Sequence, residues 1–181
     1  MLSALTGHEA WNPEAPTSLS HEGREMILFF QPDGPSGFLS QFYPSPFTDA
    51  EIGTTFSCAE QYMMACKAQL MNDSKSFDKI LVTSSPRELK RLGSRVFRFD
   101  SKLWDSAKGD IVHRANLLKF NSTPLLTQAL LETGDAYLAE ASPTDRVWGI
   151  GLDAASARLG MPWKGENLLG KILMTVRASL T

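Results

Sequence analysis

A glutamate and a lysine seven positions apart, Glu60 and Lys67, are residue types that suit catalysis in this 181-residue chain. On an α-helix, seven positions make two turns, so both side chains lie on one face with Cα atoms roughly 10 Å apart. A carboxyl group serves as acid and base, and an unprotonated lysine amine is a nucleophile for a sugar C1 carbon. Spacing alone favours a plainer interpretation, in which two unrelated charges lie on a solvated helix face.

A second group of candidate site residues lies in a polar turn near residue 140. It combines the carboxylates of Glu140 and Asp145 with the hydroxyl of Ser142 and with Trp148. A tryptophan stacks on a base, and a carboxylate stabilises positive charge that develops at a sugar C1. Gly149, which follows Trp148, lets the backbone approach a ligand closely. The residues by themselves favour a polar turn before a strand, with Trp148 filling the core.

Other candidates are weaker. Trp104 suits the wall of a base pocket and suits the core equally well. Arg91, Arg95 and Arg98 suit phosphate binding and also solvated surface charge. His113 is expected to be a surface or structural histidine, and no Walker loop, dinucleotide fingerprint or nucleophile elbow is present.

Hydrophobic periodicity and turn residues predict the elements that must position these side chains. Strands are predicted at residues 25–30, around 47 and 54–56 in a hairpin, near 138 and at 147–151. Helices are predicted at 59–71, from 85 onward, at 102–120, at 124–133 and around 168–176. The sum is one α+β domain over residues 25–181, with more helix than strand, after a loose extension over residues 1–24.

Composition limits the function further. The net charge of −2 gives no global attraction to nucleic acid or to a membrane, so a nucleic-acid substrate would need a local basic groove. The apolar run at residues 26–30 is far too short to span a membrane, and the first residues lack a secretory pattern. We therefore expect an intracellular protein, in the cytoplasm or the nucleus.

The cysteine and histidine spacing predicts neither a disulfide nor a metal site. Cys58 and Cys66, if both are helical, lie roughly 12 Å apart, which is beyond the reach of a disulfide. The chain has no C-x-x-C or H-x-x-x-H spacing, so we expect no metal and no cofactor.

Five sequence blocks, in order along the chain, resemble the NADAR (YbiA-like) family of N-glycosidases. They are an aromatic loop at 37–47, the segment AEQYMMACKA at 59–68, a block from Trp104 to Phe120, the turn at 138–151 and a closing helix at 165–177. Each block is weak by itself, but five in the same order make a chance resemblance improbable. The chain departs from the family pattern at Gln41, where asparagine is usual, and in a longer segment at 152–164 that includes Trp163.

The resemblance implies a YbiA-like α+β fold and metal-free hydrolysis of a ribosyl C1–N bond. It implies that Glu60 is the acid/base and that Lys67 captures C1 as a Schiff base. The remaining expected site residues, which would orient the ribose, support charge at C1 or wall the pocket, are Asp145, Glu140, Ser142, Gly149, Phe42, Trp104 and Trp148.

Two substrate classes are associated with the family. The favoured one is ADP-ribose linked through C1 to the guanine amino group, in nucleic acid or in a nucleotide. The alternative is the ribosylamino-pyrimidine phosphates of riboflavin synthesis. A non-catalytic module that binds ADP-ribose or NAD-like ligands is a third interpretation, and it does not explain why Glu60, Lys67 and Asp145 occur together. A plain structural domain explains the residues least.

Overall fold

Helices outweigh strands in the computed structural model, which describes residues 20–21, 24–34 and 36–180. The strands of this part are β1 (Ser20–His21), β2 (Arg24–Phe29), β3 (Phe47–Asp49), β4 (Thr54–Phe56) and β5 (Tyr137–Glu140). The helices are α1 (Ala59–Leu70), α2 (Ser74–Leu81), α3 (Pro86–Gly93), α4 (Ser101–Asn121), α5 (Pro124–Leu131), α6 (Ala154–Arg158) and α7 (Leu168–Ser179). The predicted α+β architecture is confirmed.

The larger sheet has the order β1-β2-β5, with β1 antiparallel and β5 parallel to β2. Its alternating side chains separate two apolar clusters, as the two-residue period of a strand requires. Ile27 and Phe29 face the main core, which also contains side chains of α1, α4 and α7. Met26 and Ala139 face a smaller cluster on the other side. The parallel pairing of Phe29 with Glu140 brings the carboxyl ends of β2 and β5 to one edge.

The smaller sheet is the predicted β3–β4 hairpin, and an ion pair with a buried carboxylate fixes it to the helices. Both carboxylate oxygens of Asp49 accept hydrogen bonds from Arg114 of α4, at 2.7 and 2.8 Å. The Tyr62 hydroxyl of α1 donates to the same carboxylate at 2.8 Å. Asp49 is fully buried, and its Arg114 partner holds the pKa of the carboxyl far below its ordinary value. Three elements are therefore joined at a single side chain.

Several predicted elements differ from the structure. The strand predicted at 147–151 is wrong, because this segment is a series of bends. The short helices α2 and α6 were not predicted, although Asp73 and Asp153 cap them by accepting backbone N–H bonds. Residues 1–19 of the expected extension lie outside the described residues, and Ser20–His21 already pairs with β2.

The longest helix, α4, has 21 residues and carries charged side chains along its length. Within the described residues, no helix combines the length and apolar character needed to cross a membrane.

Candidate active site

A cavity of about 870 Å³ opens at the edge where β2 and β5 end. Its wall is formed by the residues after β2, the aromatic loop at 40–42, one face of α1, one face of α3 and the turn at 140–148. The volume lies within the range of ordinary ligand pockets. Glu60, Lys67, Glu140, Ser142 and Asp145 all line it. Tertiary packing thus brings the two groups of residues selected from the sequence into one space.

The first turn of α1 places Glu60 in the wall of this cavity. The backbone N–H of Glu60 donates to the carbonyl of Gln41 at 2.9 Å, which satisfies one of the free amides at the helix start. The side chain is only 6% exposed, so the interpretation of Glu60 as a solvated surface charge is wrong. Burial raises the pKa of the Glu60 carboxyl to about 7; Lys90 opposes the rise and Asp145 adds to it.

Two turns later, Lys67 lies between two aromatic rings. Its Nζ is 4.4 Å from the centre of the Phe99 ring and 5.3 Å from that of Trp104. Burial lowers the pKa of the Lys67 amine, and the nearby Glu60 carboxyl works in the opposite direction. Trp104 is buried and does not line the cavity itself. It packs behind the lysine instead of forming the expected wall.

Glu140 reaches the cavity because β5 ends there. Its backbone N–H donates to the Asn167 side chain at 3.0 Å, and its carbonyl accepts from the Ile150 N–H at 2.9 Å. The carboxyl Oε2 is buried and has no hydrogen-bond partner within the described part of the chain. Burial raises the pKa of Glu140 to about 8, and the nearby Asp145 and Glu60 carboxylates add to the rise.

Asp145 shapes the turn that follows Glu140. Its Oδ1 accepts the backbone N–H groups of Val147 and Trp148 at 2.9 and 2.8 Å, and its own N–H donates to the Ser142 hydroxyl at 3.3 Å. These bonds use amides that a strand at 147–151 would need, which explains the wrong strand prediction. Trp148 lines the cavity.

Gly149 supports this turn from behind the cavity and does not line it. A Cβ atom there would lie 2.9 Å from the Glu140 carbonyl oxygen, so the close approach of the two backbone segments requires glycine. The Gly149 carbonyl also accepts the Asn167 N–H at 3.1 Å.

Helix α3 adds basic residues that were not among the predicted site residues. Arg87 and Lys90 line the cavity, and the Lys90 Nζ is 4.9 Å from the centre of the Phe42 ring. Lys90 is the charge that most opposes the raised pKa of Glu60. The Ser-Pro start at residue 85 predicts a helix, but only packing shows which of its faces meets the cavity.

The two departures from the family pattern have different outcomes. The Gln41 side-chain oxygen accepts a hydrogen bond from the buried Asn116 amide at 3.2 Å, and Gln41 lines the cavity. Residues 152–164 do not line the cavity, so this segment does not reshape its edge as expected. Trp163 packs against the Tyr137 ring, 5.9 Å away between centres.

The model of the NADAR domain family matches residues 28–181. The chain belongs to the NADAR family. This confirms the resemblance drawn from the five sequence blocks. The match begins within β2 and includes every later element to the end of α7, and every cavity-lining residue lies within it.

The relatives of this NADAR chain include N-glycosidases and riboflavin biosynthesis proteins. It is 46% identical over 144 residues to an N-glycosidase of Acanthamoeba polyphaga mimivirus, covering 76% of this chain and 84% of the relative. It is 32% identical over 156 residues to a riboflavin biosynthesis protein of Vibrio vulnificus, covering 86% of this chain and 39% of the relative. The NMR structure of the E. coli protein YbiA superimposes with a TM-score of 0.71 at 30% identity, covering 86% and 84% of the two chains.

Proposed function

We propose that this NADAR chain is an N-glycosidase that hydrolyses a ribosyl C1–N bond and removes ADP-ribose from guanine. One observation carries the proposal: a lysine with a lowered pKa and a buried carboxyl with a raised pKa line the same cavity. Opposite shifts of this kind favour the neutral amine, which is the nucleophile, and the protonated carboxyl, which is the acid. The similarity to an N-glycosidase of Acanthamoeba polyphaga mimivirus supports the same reaction class.

In the proposed first step, the Lys67 amine forms a bond to ribose C1 while the C1–N bond to the guanine amino group breaks. Glu60 gives its proton to the departing nitrogen and takes one back from the Lys67 amine. The ribose ring then opens as the C1–O bond breaks: Glu60 passes the proton taken from the amine to the ring oxygen, and a Schiff base joins C1 to Lys67. Water adds to C1 and releases the lysine, so the sum of the steps consumes one water molecule.

The carboxyl groups of Glu140 and Asp145 take different parts in this proposal. Glu140, with its pKa near 8, is mostly protonated at pH 7 and can donate a hydrogen bond to a ribose hydroxyl. Its unpartnered Oε2 is available to a hydroxyl donor from the substrate. Asp145, held in its turn by two backbone amides, supports positive charge at C1.

Aromatic side chains would hold the base. Phe42 and Trp148 both line the cavity, and so does Ser142, which contributes a hydroxyl. A planar base stacks on such rings at little conformational cost. Lys90 and Arg87, which line the α3 side, supply positive charge suited to the phosphates of ADP-ribose.

The alternative substrate class is the ribosylamino-pyrimidine phosphates of riboflavin synthesis. The similarity to a riboflavin biosynthesis protein of Vibrio vulnificus favours it. The same Lys67 and Glu60 chemistry applies, because both substrates place a nitrogen on ribose C1. A non-catalytic module that binds ADP-ribose remains the alternative of another class, and it does not explain why Glu60, Lys67 and Asp145 line one cavity.

The deciding experiment incubates the protein with ADP-ribosyl-guanosine, with and without EDTA, adds borohydride and measures the protein by mass spectrometry. Release of guanosine with a reduced adduct on Lys67, unaffected by EDTA, supports the whole proposal. Release without an adduct retains the glycosidase and shifts the attack to water activated by Glu60. Hydrolysis of riboflavin intermediates alone favours the alternative substrate, and binding of ADP-ribose without any turnover favours the binding module.

A further inference from the structure

The connection between α3 and α4 and the first residues of α4, residues 94–103, form what we call the aromatic-basic segment. It exposes large apolar side chains to solvent: Phe97 is 64% exposed, Phe99 46% and Leu103 41%. Isolated exposed apolar residues are ordinary, but three within seven positions mark a surface that contacts something else.

The backbone of the aromatic-basic segment is held in place by the residues around α2. The Phe97 N–H donates to the Asp73 carboxylate at 2.8 Å, and the Asp100 N–H donates to the Met71 sulfur at 3.3 Å. Val96, which immediately precedes Phe97, is buried in the main core. The exposed rings are therefore presented by an anchored backbone, which reduces the entropy lost on binding a ligand.

Positive charge surrounds these rings. Residues 86–102 contain six basic and two acidic residues in a chain whose net charge is −2. The Arg98 guanidinium lies 5.2 Å from the centre of the Phe97 ring, while Arg95 and Lys102 are exposed. Alternating aromatic and basic side chains are typical of surfaces that bind single-stranded nucleic acid, where bases stack and phosphates pair with cations.

The segment is continuous with the cavity at two points. The centre of the Phe99 ring lies 4.4 Å from the Lys67 Nζ. Helix α3 precedes the segment, and its Arg87 and Lys90 line the cavity. A strand whose modified nucleotide occupies the cavity would therefore place its neighbouring nucleotides on the aromatic-basic segment.

We propose that the aromatic-basic segment binds single-stranded nucleic acid. Bases beside the modified guanine stack on Phe97 and Phe99, and their phosphates pair with Arg95, Arg98 and Lys102. A duplex fits less well, because its base faces are already stacked inside the helix. A second copy of this chain also fits less well, because two surfaces with the same excess of positive charge would face each other. The role in catalysis rests on the proposed function, but the binding itself does not.

The test measures fluorescence anisotropy of an unmodified, labelled oligothymidine of about 12 nucleotides, a length within the usual site sizes. Phe97→Ala is the main variant, since this exposed ring has little packing to lose on truncation. We expect its affinity to fall between about five- and a hundredfold, the effect of one lost base stack. Arg98→Ala should lower the slope of log K against log salt by about 0.7. Arg158→Ala, an exposed arginine on α6, is the charge-matched control and should change neither quantity.

Turnover separates this proposal from the proposed function. Phe97→Ala should hydrolyse ADP-ribosyl-guanosine like the wild type and lose kcat/KM only on a modified oligonucleotide. If the protein hydrolyses neither substrate but Phe97→Ala still loses oligothymidine binding, the result supports the binding surface and contradicts the glycosidase function. The proposal is overturned if the wild type does not bind oligothymidine, if Phe97→Ala binds it unchanged, or if the variant loses only self-association seen by light scattering.

Discussion

The backbone carbonyl of Gln41 accepts the backbone N–H of Glu60 at 2.9 Å, so the aromatic loop caps the helix that carries the candidate acid. Helix α4 holds this loop in turn: Asn116 donates to the Gln41 side chain, and the buried Lys119 amine donates to the Ser40 carbonyl at 2.9 Å. The position of Glu60 therefore depends on contacts made by residues more than 50 positions away in the sequence.

Replacement of Lys67 tests its assigned role as nucleophile. Lys67→Met should keep ligand binding and lower kcat by roughly 10³-fold or more, because no side chain remains to capture C1. Lys67→Arg should be equally inactive, since it restores the positive charge without a nucleophilic amine. Single-turnover kinetics on ADP-ribosyl-guanosine measures the effect, and Lys171→Met, an exposed lysine on α7, is the matched control. Appreciable turnover by Lys67→Arg would contradict the assignment.

The raised pKa of Glu60 predicts that this carboxyl group lowers the free energy of unfolding at neutral and alkaline pH. The folded-state value of about 7 exceeds the ordinary 4.5, so between these values the folded chain holds a proton that the unfolded chain has released. The free energy of unfolding therefore falls as pH rises from about 4.5 to 7 and stays low above it. Glu60→Gln should raise this free energy by on the order of 2 kcal/mol at pH 8, while lowering activity.

Urea unfolding at pH 5 and at pH 8 measures this effect on Glu60→Gln. Glu140→Gln should behave in the same way, because burial raises its pKa to about 8. Glu166 is an exposed glutamate, so Glu166→Gln should leave the free energy of unfolding unchanged at both pH values. A stabilisation of equal size at pH 5 and pH 8 would show that titration of these carboxyl groups is not its cause.

The Asp49–Arg114 pair predicts that the free energy of unfolding falls as the pH drops into the acid range. The folded-state pKa of Asp49 lies well below its ordinary 3.8, so its contribution is present above about pH 4 and is lost as pH falls below that. Asp49→Asn should lower the free energy of unfolding by about 2–3 kcal/mol at pH 7. This is less than the loss expected for a fully buried pair, because Arg114 is 39% exposed. The difference from wild type should shrink toward pH 2.

Thermal unfolding across this pH range measures the Asp49 contribution. Asp105→Asn is the control, since it breaks an exposed ion pair with Lys108 on α4 and should change stability by less than about 0.5 kcal/mol. An Asp49→Asn protein as stable as wild type at pH 7 would contradict the structural role of the pair.

Replacement by alanine should have opposite effects on the free energy of unfolding at Gly170 and at Gly109. A Cβ at Gly170 would lie 2.1 Å from the Leu138 carbonyl oxygen, which belongs to the backbone of β5 and cannot rotate away. Gly170→Ala should destabilise the protein by about 3 kcal/mol and displace Glu140 at the end of that strand. Gly109 lies within α4 with open space around it, so Gly109→Ala should stabilise by up to about 1 kcal/mol. Chemical denaturation of both variants gives the comparison, and a tolerated Gly170→Ala would contradict the close packing of α7 on β5.

Much of the local structure follows from the sequence because its causes are local. Apolar spacing predicts α1, α4 and α7, the Ser-Pro start predicts α3, and β-compatible residues around 47 and 54–56 predict the hairpin. The segment 147–151 has the composition of a strand, yet Asp145 binds the first amides and leaves it bent. A competing side-chain hydrogen bond of this kind cannot be distinguished from strand pairing by composition alone.

The sequence blocks by themselves determined the family and the group of residues around Glu60, Lys67 and Asp145. Their burial was decided only by tertiary structure, because Glu60 becomes buried only when β5, α3 and the aromatic loop pack around the start of α1. The same packing brings Phe99 to Lys67 and turns Lys90 toward the cavity, which spacing along one helix does not reveal. A pKa responds to every neighbouring charge and to the loss of water, so the chemical character of these residues is a property of the fold.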